Sequence, residues 1–202
     1  MGKVKIKLCG VTSADDYRLA CSLGINFVGF VFVPSSPRCV APEEVLEITG
    51  GKATGSPVKV GVFADQSPED IGRICRVAGL EIAQLHGVES PGFCRSLGIS
   101  FWKAVTDPVM INEYGAPVLL DASGVNRNGE QLNLDLARRA IYSGRKVILA
   151  GGISSSNVID FISLNPWGID FSSSVESSPG VKDSRKVVEI TEMVRRSGNA
   201  KA

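Results

Sequence analysis

The sequence predicts a (β/α)8 barrel, an α/β fold in which eight parallel strands alternate with helices around a closed sheet. Three observations predict it. Eight short runs rich in branched aliphatic residues and phenylalanine recur along the 202 residues, helix-like segments lie between them, and no linker or low-complexity tract divides the chain. We therefore expect a single barrel domain over residues 1–202, which is compact beside the usual ~250 residues of this fold.

The eight runs have the length of strands and are bounded by glycine or proline. Because strands and helices alternate regularly, the strands should run parallel and be joined by helical crossovers. An open doubly wound sheet is the competing fold, but it usually has fewer strands, and its G-x-G-x-x-G dinucleotide fingerprint does not follow the first strand. The strand candidates are residues 3–9, 25–33, 58–64, 81–87, 99–105, 117–122, 146–152 and 168–174.

The predicted helices begin at capping residues, and several of them end at glycine. Ser67 is followed by Pro68, which suits the first position of a helix. The helix after the fifth strand must be short, because few residues separate that strand from the next. The predicted helices run from Thr12 to Gly24, from Ser67 to Gly79, from Ser90 to Gly98, from Val109 to Tyr114 and from Ser154 to Leu164, and the last helix begins at Asp183.

The composition of the chain excludes several classes of function. A net charge of +1 argues against nucleic acid as the main partner, and no apolar stretch approaches the roughly 20 residues of a membrane helix. The five cysteines include no C-x-x-C pair and suggest neither a zinc site nor a disulfide framework. Since the chain also starts without the apolar core of a signal peptide, we expect a soluble cytoplasmic protein.

Polar residues fall at the carboxyl ends of the predicted strands, where barrel enzymes carry out their chemistry. Lys7 and Cys9 should face the barrel axis, and the nearby ammonium should favour the thiolate and lower the pKa of Cys9. His86, the single histidine, ends the fourth strand, Asp121 ends the sixth, and Asp170 faces inward from the eighth. A packed thiol, a histidine bound to a backbone carbonyl and a loop-capping aspartate remain the structural alternatives.

Two adjacent loops carry a pattern that is typical of phosphate binding. Gly151 and Gly152 leave the seventh strand and run into the next predicted helix, while Ser173 and Ser174 leave the eighth strand. In such barrels these two loops often bind phosphate through backbone N–H groups. The sequence therefore predicts a small phosphorylated substrate.

With these residues in place, the sequence resembles the phosphoribosylanthranilate isomerase family of tryptophan biosynthesis. The resemblance implies the Amadori rearrangement of N-(5-phosphoribosyl)anthranilate to a 1-deoxyribulose aminoketose, with no metal or redox cofactor. It also implies that Cys9 is the general base, Asp121 the general acid, and Arg38 the partner of the substrate carboxylate. The motifs that carry it include Lys7-Leu8-Cys9-Gly10-Val11-Thr12, Gln84-Leu85-His86-Gly87, Ala150-Gly151-Gly152-Ile153 and Gly168-Ile169-Asp170-Phe171-Ser172-Ser173-Ser174-Val175-Glu176.

The sequence departs from the family pattern at two places. The loop at residues 122–130 replaces a Gly-Gly-Thr-Gly stretch, and Ser174 stands where the family has glycine. Lys7, His86 and Asp170 are predicted to bind the substrate, with the alternative that Asp170 orients Lys7 within the barrel. Both a monomer and a homodimer are compatible with the sequence.

Other functions remain open at this point. Indole-glycerol-phosphate synthase would need a larger set of lysines and glutamates, and the histidine-pathway isomerase would need an aspartate at the position of Cys9. A non-catalytic barrel kept for binding or regulation is the alternative of a different class, although the presence of both Cys9 and Asp121 argues against it.

Overall fold

A computed structural model of the chain describes residues 3–50, 55–115, 117–121 and 134–199. Eight parallel strands are hydrogen-bonded in chain order, and the eighth pairs with the first to close the barrel. The predicted (β/α)8 architecture is thereby confirmed. The strands are β1 (Lys5–Cys9), β2 (Phe27–Val31), β3 (Val58–Phe63), β4 (Ile82–Leu85), β5 (Phe101–Val105), β6 (Val118–Asp121), β7 (Val147–Ala150) and β8 (Gly168–Phe171).

Helices surround the barrel, and a short 3-10 helix at Pro108–Glu113 follows β5, where the spacing predicted a short element. After β8 the chain forms an antiparallel hairpin that the sequence did not predict, with β9 at Glu176–Ser178 and β10 at Val181–Lys182. Within the described ranges, no helix combines the length and the apolar character that spanning a bilayer demands. The α-helices are α1 (Ala14–Ser22), α2 (Pro42–Thr49), α3 (Pro68–Ala78), α4 (Pro91–Ser96), α5 (Leu134–Tyr142), α6 (Val158–Ser163) and α7 (Ser184–Asn199).

Most helix limits follow the capping residues of the sequence. The hydroxyl of Ser67 accepts a hydrogen bond from the backbone N–H of Asp70, and Gly79 ends α3 in the left-handed conformation with φ of 61°. The carboxylate of Asp183 likewise accepts from the backbone N–H groups of Arg185 and Lys186, which satisfies the start of α7.

Two of the predicted caps are wrong. Ser13 caps α1, because the hydroxyl of Thr12 is used elsewhere and donates to the carbonyl of Gly180 at 2.7 Å. Ser154 does not start a helix, since the chain first turns and α6 begins after Asn157. The side chain of Asn157 accepts from the N–H of Ser154 at 2.9 Å, and this contact fixes the turn.

Successive side chains on each strand point to opposite faces of the sheet, so they form two apolar layers, one outside and one inside the barrel. Ile6 and Leu8 face outward into a continuous core between the strands and the helices, as predicted. Inside the barrel, the rings of Phe27, Trp102 and Trp167 meet edge to face or tilted, with the Phe27 and Trp102 centroids 4.9 Å apart. These three rings close the amino end of the barrel, so the opposite end is where a ligand can enter.

The outer layer leads to a test of the fold. Leu120 on β6 is completely buried in this layer. Because Leu120→Ala leaves a cavity, we expect the free energy of unfolding in urea to fall by about 2–5 kcal/mol. Val88, which is 92% exposed, supplies the control, and Val88→Ala should change it by less than about 0.5 kcal/mol. Equal effects of the two substitutions would contradict this account of the core.

Candidate active site

The loops at the carboxyl end of the barrel surround a cavity of about 260 Å³. Eight of the ten residues proposed from the sequence line it, so residues from five strands meet in one place. Lys7 lies beneath the cavity and Arg38 beside it, and neither is part of the lining. The eight lining residues are Cys9, His86, Asp121, Gly151, Gly152, Asp170, Ser173 and Ser174.

A buried ion pair lies under the cavity. Nζ of Lys7 donates to both carboxylate oxygens of Asp170, at 3.1 and 3.0 Å, and the two residues face each other where β1 pairs with β8. Burial lowers the pKa of Lys7, but the negative charges of Asp170 and Cys9 and the hydrogen bonds to both side chains together outweigh it and raise that pKa above its ordinary value. Lys7 therefore keeps its positive charge inside the barrel.

Cys9 ends β1 beside this ammonium, in space that Gly29 of β2 leaves open. A β-carbon on Gly29 would lie 2.8 Å from Sγ of Cys9 and 3.0 Å from Nζ of Lys7, so no side chain fits there. Sequence reasoning missed this role, although a glycine in the middle of an apolar strand is itself a signal of close approach.

The pKa of Cys9 differs from the expectation. Burial raises the pKa of this thiol, and the positive charge of Lys7 lowers it by less. The prediction that Lys7 brings the pKa of Cys9 below its ordinary value is therefore wrong for the structure. The reason is that Cys9 is buried together with Lys7, and an apolar environment penalises the thiolate.

His86 lies at the rim of the cavity, directly after β4. Its Nε2 is 2.5 Å from the side-chain amide nitrogen of Gln84. Although part of the ring is exposed, burial and then the positive charge of Lys7 lower the pKa of His86 to about 4. The imidazole is therefore neutral at neutral pH and can both donate and accept a hydrogen bond.

Arg38 is held by the hairpin that follows β8. Its Nε and Nη2 donate to the two carboxylate oxygens of Glu176, at 2.7 and 2.6 Å. Lys182 donates to the same carboxylate at 2.8 Å and to the carbonyl of Ser172 at 3.3 Å. Burial raises the pKa of Glu176, but the hydrogen bonds and positive charges of Arg38 and Lys182 together outweigh it and hold the pKa below its ordinary value. No local pattern signals this network, because Arg38 and Glu176 are 138 residues apart along the chain.

The loops after β7 and β8 complete the wall. Gly151 and Gly152 have φ of 84° and 63°, a conformation that glycine adopts without strain. Ser174 follows on the 3-10 helix Ser173–Val175 and is not among the described non-glycine residues with positive φ. Its backbone therefore does not require the glycine of the family pattern. The unusual loop at residues 122–130 lies outside the described residues.

Comparison with known proteins bears on what this cavity does. The family model of N-(5'-phosphoribosyl)anthranilate isomerase matches residues 6–193. The chain belongs to this family. A relative from Trichlorobacter lovleyi named N-(5'-phosphoribosyl)anthranilate isomerase is 36% identical over 197 residues, which cover 92% of this chain and 95% of the relative. The resemblance drawn from the motifs is thereby confirmed, and the chain is an isomerase of tryptophan biosynthesis.

Solved structures of phosphoribosylanthranilate isomerases share the fold. That of the Thermus thermophilus enzyme has a TM-score of 0.87 and 35% identity, and the match covers 96% of this chain and 99% of that one. Another is a complex with reduced 1-(o-carboxyphenylamino)-1-deoxyribulose 5-phosphate, with a TM-score of 0.81, 30% identity and coverage of 96% and 99%. The family match disfavours the related phosphate barrels and the non-catalytic barrel.

The lowered pKa of His86 can be tested directly, because the chain has a single histidine whose proton resonance is unambiguous. We expect the chemical shift of its imidazole to stay constant between about pH 5.5 and 8, since the ring is already neutral there. The measurement is a proton NMR titration. A midpoint near the ordinary value of about 6.5 would show that the protein does not disfavour the charged ring.

The space above Gly29 leads to a second test in this isomerase. Gly29→Ala should displace Cys9 or Lys7 and lower turnover at least about tenfold, because the family resemblance implies that Cys9 is the base and a misplaced base transfers protons less efficiently. Gly72→Ala on α3 is the matched control: among the described side chains its new methyl group meets the guanidinium of Arg76 at 3.4 Å, which can move aside, so turnover should not change. Full activity in the Gly29→Ala protein would refute the shared-space argument.

Proposed function

We propose that Cys9 and Asp121 are the general base and the general acid of the isomerisation. The observation that carries this proposal is their position in one cavity, at the ends of β1 and β6, together with the two loops suited to phosphate. A positioned acid and base each contribute about 10²–10⁴-fold to such reactions.

The reaction starts from the aminoaldose N-(5-phosphoribosyl)anthranilate, which the family resemblance implies as substrate. Asp121 donates a proton to the oxygen of the furanose ring, the bond between this oxygen and C1 breaks, and a protonated Schiff base forms between C1 and nitrogen. The thiolate of Cys9 then removes the proton from C2, and the electron pair gives an enolamine. Addition of a proton to C1 and loss of the proton from the C2 hydroxyl yield the aminoketose.

The ion pair under the cavity supports the basic form of Cys9. Burial disfavours a thiolate, and the ammonium of Lys7 opposes that cost with an adjacent positive charge. Asp170 holds Lys7 in place through two hydrogen bonds. In this proposal Lys7 and Asp170 act on the substrate through Cys9.

Binding residues surround this acid–base pair. We propose that the phosphate is held by the backbone and hydroxyl groups of Gly151, Gly152, Ser173 and Ser174, at the carboxyl end of the barrel. Arg38 pairs with the carboxylate of the anthranilate ring, and Glu176 keeps its guanidinium oriented. The neutral imidazole of His86 supplies a hydrogen bond to the substrate.

The wider properties of the protein are part of the same proposal. Residues 1–202 form one domain, because β8 returns to β1 and closes the sheet. All five cysteines lie in described ranges and are free thiols, which supports a cytoplasmic location. Every residue assigned to the site comes from one chain, so either a monomer or a homodimer can be active.

Substitution of the two catalytic residues tests the assignment. With substrate generated in situ and its conversion followed by anthranilate fluorescence, Cys9→Ala and Asp121→Asn should each lower kcat by about 10²-fold or more, because the proton acceptor or donor is lost. Cys39→Ser, at an exposed cysteine, should leave kcat unchanged. Full activity in either catalytic variant would reject that residue's role, and an inactive unmodified protein would reject the proposed function.

A further inference from the structure

Gln84 is a buried polar residue in the cavity with no role in the mechanism above. It lies on β4 between Ala83 and Leu85, which face the outer core, so its own side chain faces the barrel interior. It is completely buried from bulk solvent, yet it lines the same cavity as Cys9 and Asp121. An amide at this depth is positioned to contact a molecule that fills the cavity.

One half of this amide lacks a partner. The nitrogen Nε2 of Gln84 lies 2.5 Å from Nε2 of His86, whereas Oε1 has no hydrogen-bond partner among the described residues. A buried carbonyl oxygen without a donor carries a desolvation cost, and most buried polar groups avoid it. The amide is oriented so that Nε2 donates to the neutral imidazole, and the inference rests on this orientation, since a half-turn would leave Nε2 open in place of Oε1.

We propose that Gln84 is a further substrate-binding residue, and this inference rests on the proposed function. Its side-chain carbonyl accepts a hydrogen bond from the hydroxyl on C2 of the substrate's sugar. Oε1 can only accept, so its partner must donate. The phosphate and the carboxylate of the substrate are acceptors at neutral pH, and the aniline N–H lies beside its own carboxylate. The sugar hydroxyls are the remaining donors.

The C2 hydroxyl is favoured over the other hydroxyls by the chemistry. Cys9 removes the proton from C2, so this carbon must lie inside the cavity that Cys9 and Gln84 line together. The hydroxyl is a donor in the aldose and in the enolamine, and it becomes an acceptor carbonyl in the ketose. A contact with Oε1 would therefore be kept through proton removal and lost in the product, which promotes release.

Two ligands that differ in a single hydroxyl test the inference. Reductive amination of anthranilate with ribose 5-phosphate, or with 2-deoxyribose 5-phosphate, gives conjugates that cannot react and whose fluorescence reports binding. The unmodified protein should bind the ribose-derived conjugate about tenfold more tightly, as expected for one buried hydrogen bond. In Gln84→Met, which keeps an unbranched chain of similar volume, the two affinities should become equal.

Two further variants separate this role from a structural one. Gln84→Glu keeps an acceptor, so it should bind both anionic conjugates more weakly but retain the tenfold ratio. Thr191→Val removes a buried hydroxyl on α7 that also has no partner within the described chain, and the ratio should not change.

The outcomes are distinct. Equal affinities for the two conjugates in the unmodified protein would overturn the inference, and are expected if only a water binds Gln84. A preference for the ribose-derived conjugate that survives in Gln84→Met, or that disappears in Gln84→Glu, would also overturn it. Failure of the unmodified protein to bind either conjugate would reject the proposed function, and this inference with it.

Discussion

The ion pair between Lys7 and Asp170 joins the stability of the barrel to its chemistry. The two residues face each other across the seam at which β8 meets β1, so the contact lies where the sheet closes. A charge at this depth is tolerated only because its partner is present, and the loss of either residue would leave the other uncompensated. The same ammonium lies beside the thiol of Cys9 and lowers the pKa of that thiol, so the seam also influences the group that we propose as the base.

A second network links loops that are distant in sequence. Glu176 accepts from Arg38 of the loop after β2 and from Lys182 of the hairpin after β8, and Thr12 of the loop after β1 donates to the carbonyl of Gly180. Three loops around the carboxyl end are thereby tied together. In the proposed mode of binding, a near-neutral protein holds a substrate with two anionic groups by local charges that their neighbours keep in place.

Local patterns predicted the fold and most of the cavity, because both depend on short-range periodicity. The alternation of side chains along a strand places Cys9 and Asp170 inside the barrel, and the end of a strand places Asp121 at the rim. What could not be predicted depends on contacts between distant segments. The space above Gly29 and the net effect of burial on the pKa of Cys9 require the packed barrel, and the hairpin partner of Arg38 is 138 residues away in sequence.

The aromatic cluster of Phe27, Trp102 and Trp167 at the amino end of the barrel has a spectroscopic consequence. Trp102 and Trp167 are the two tryptophans of the chain, and both belong to the ring cluster at the amino end. Their intrinsic emission reports whether this aromatic cluster is packed, whereas the fluorescence of a bound anthranilate group reports on the opposite end of the same barrel. Tryptophan emission can therefore follow unfolding at the amino end of the barrel, while the emission of a bound anthranilate follows occupancy of the carboxyl end.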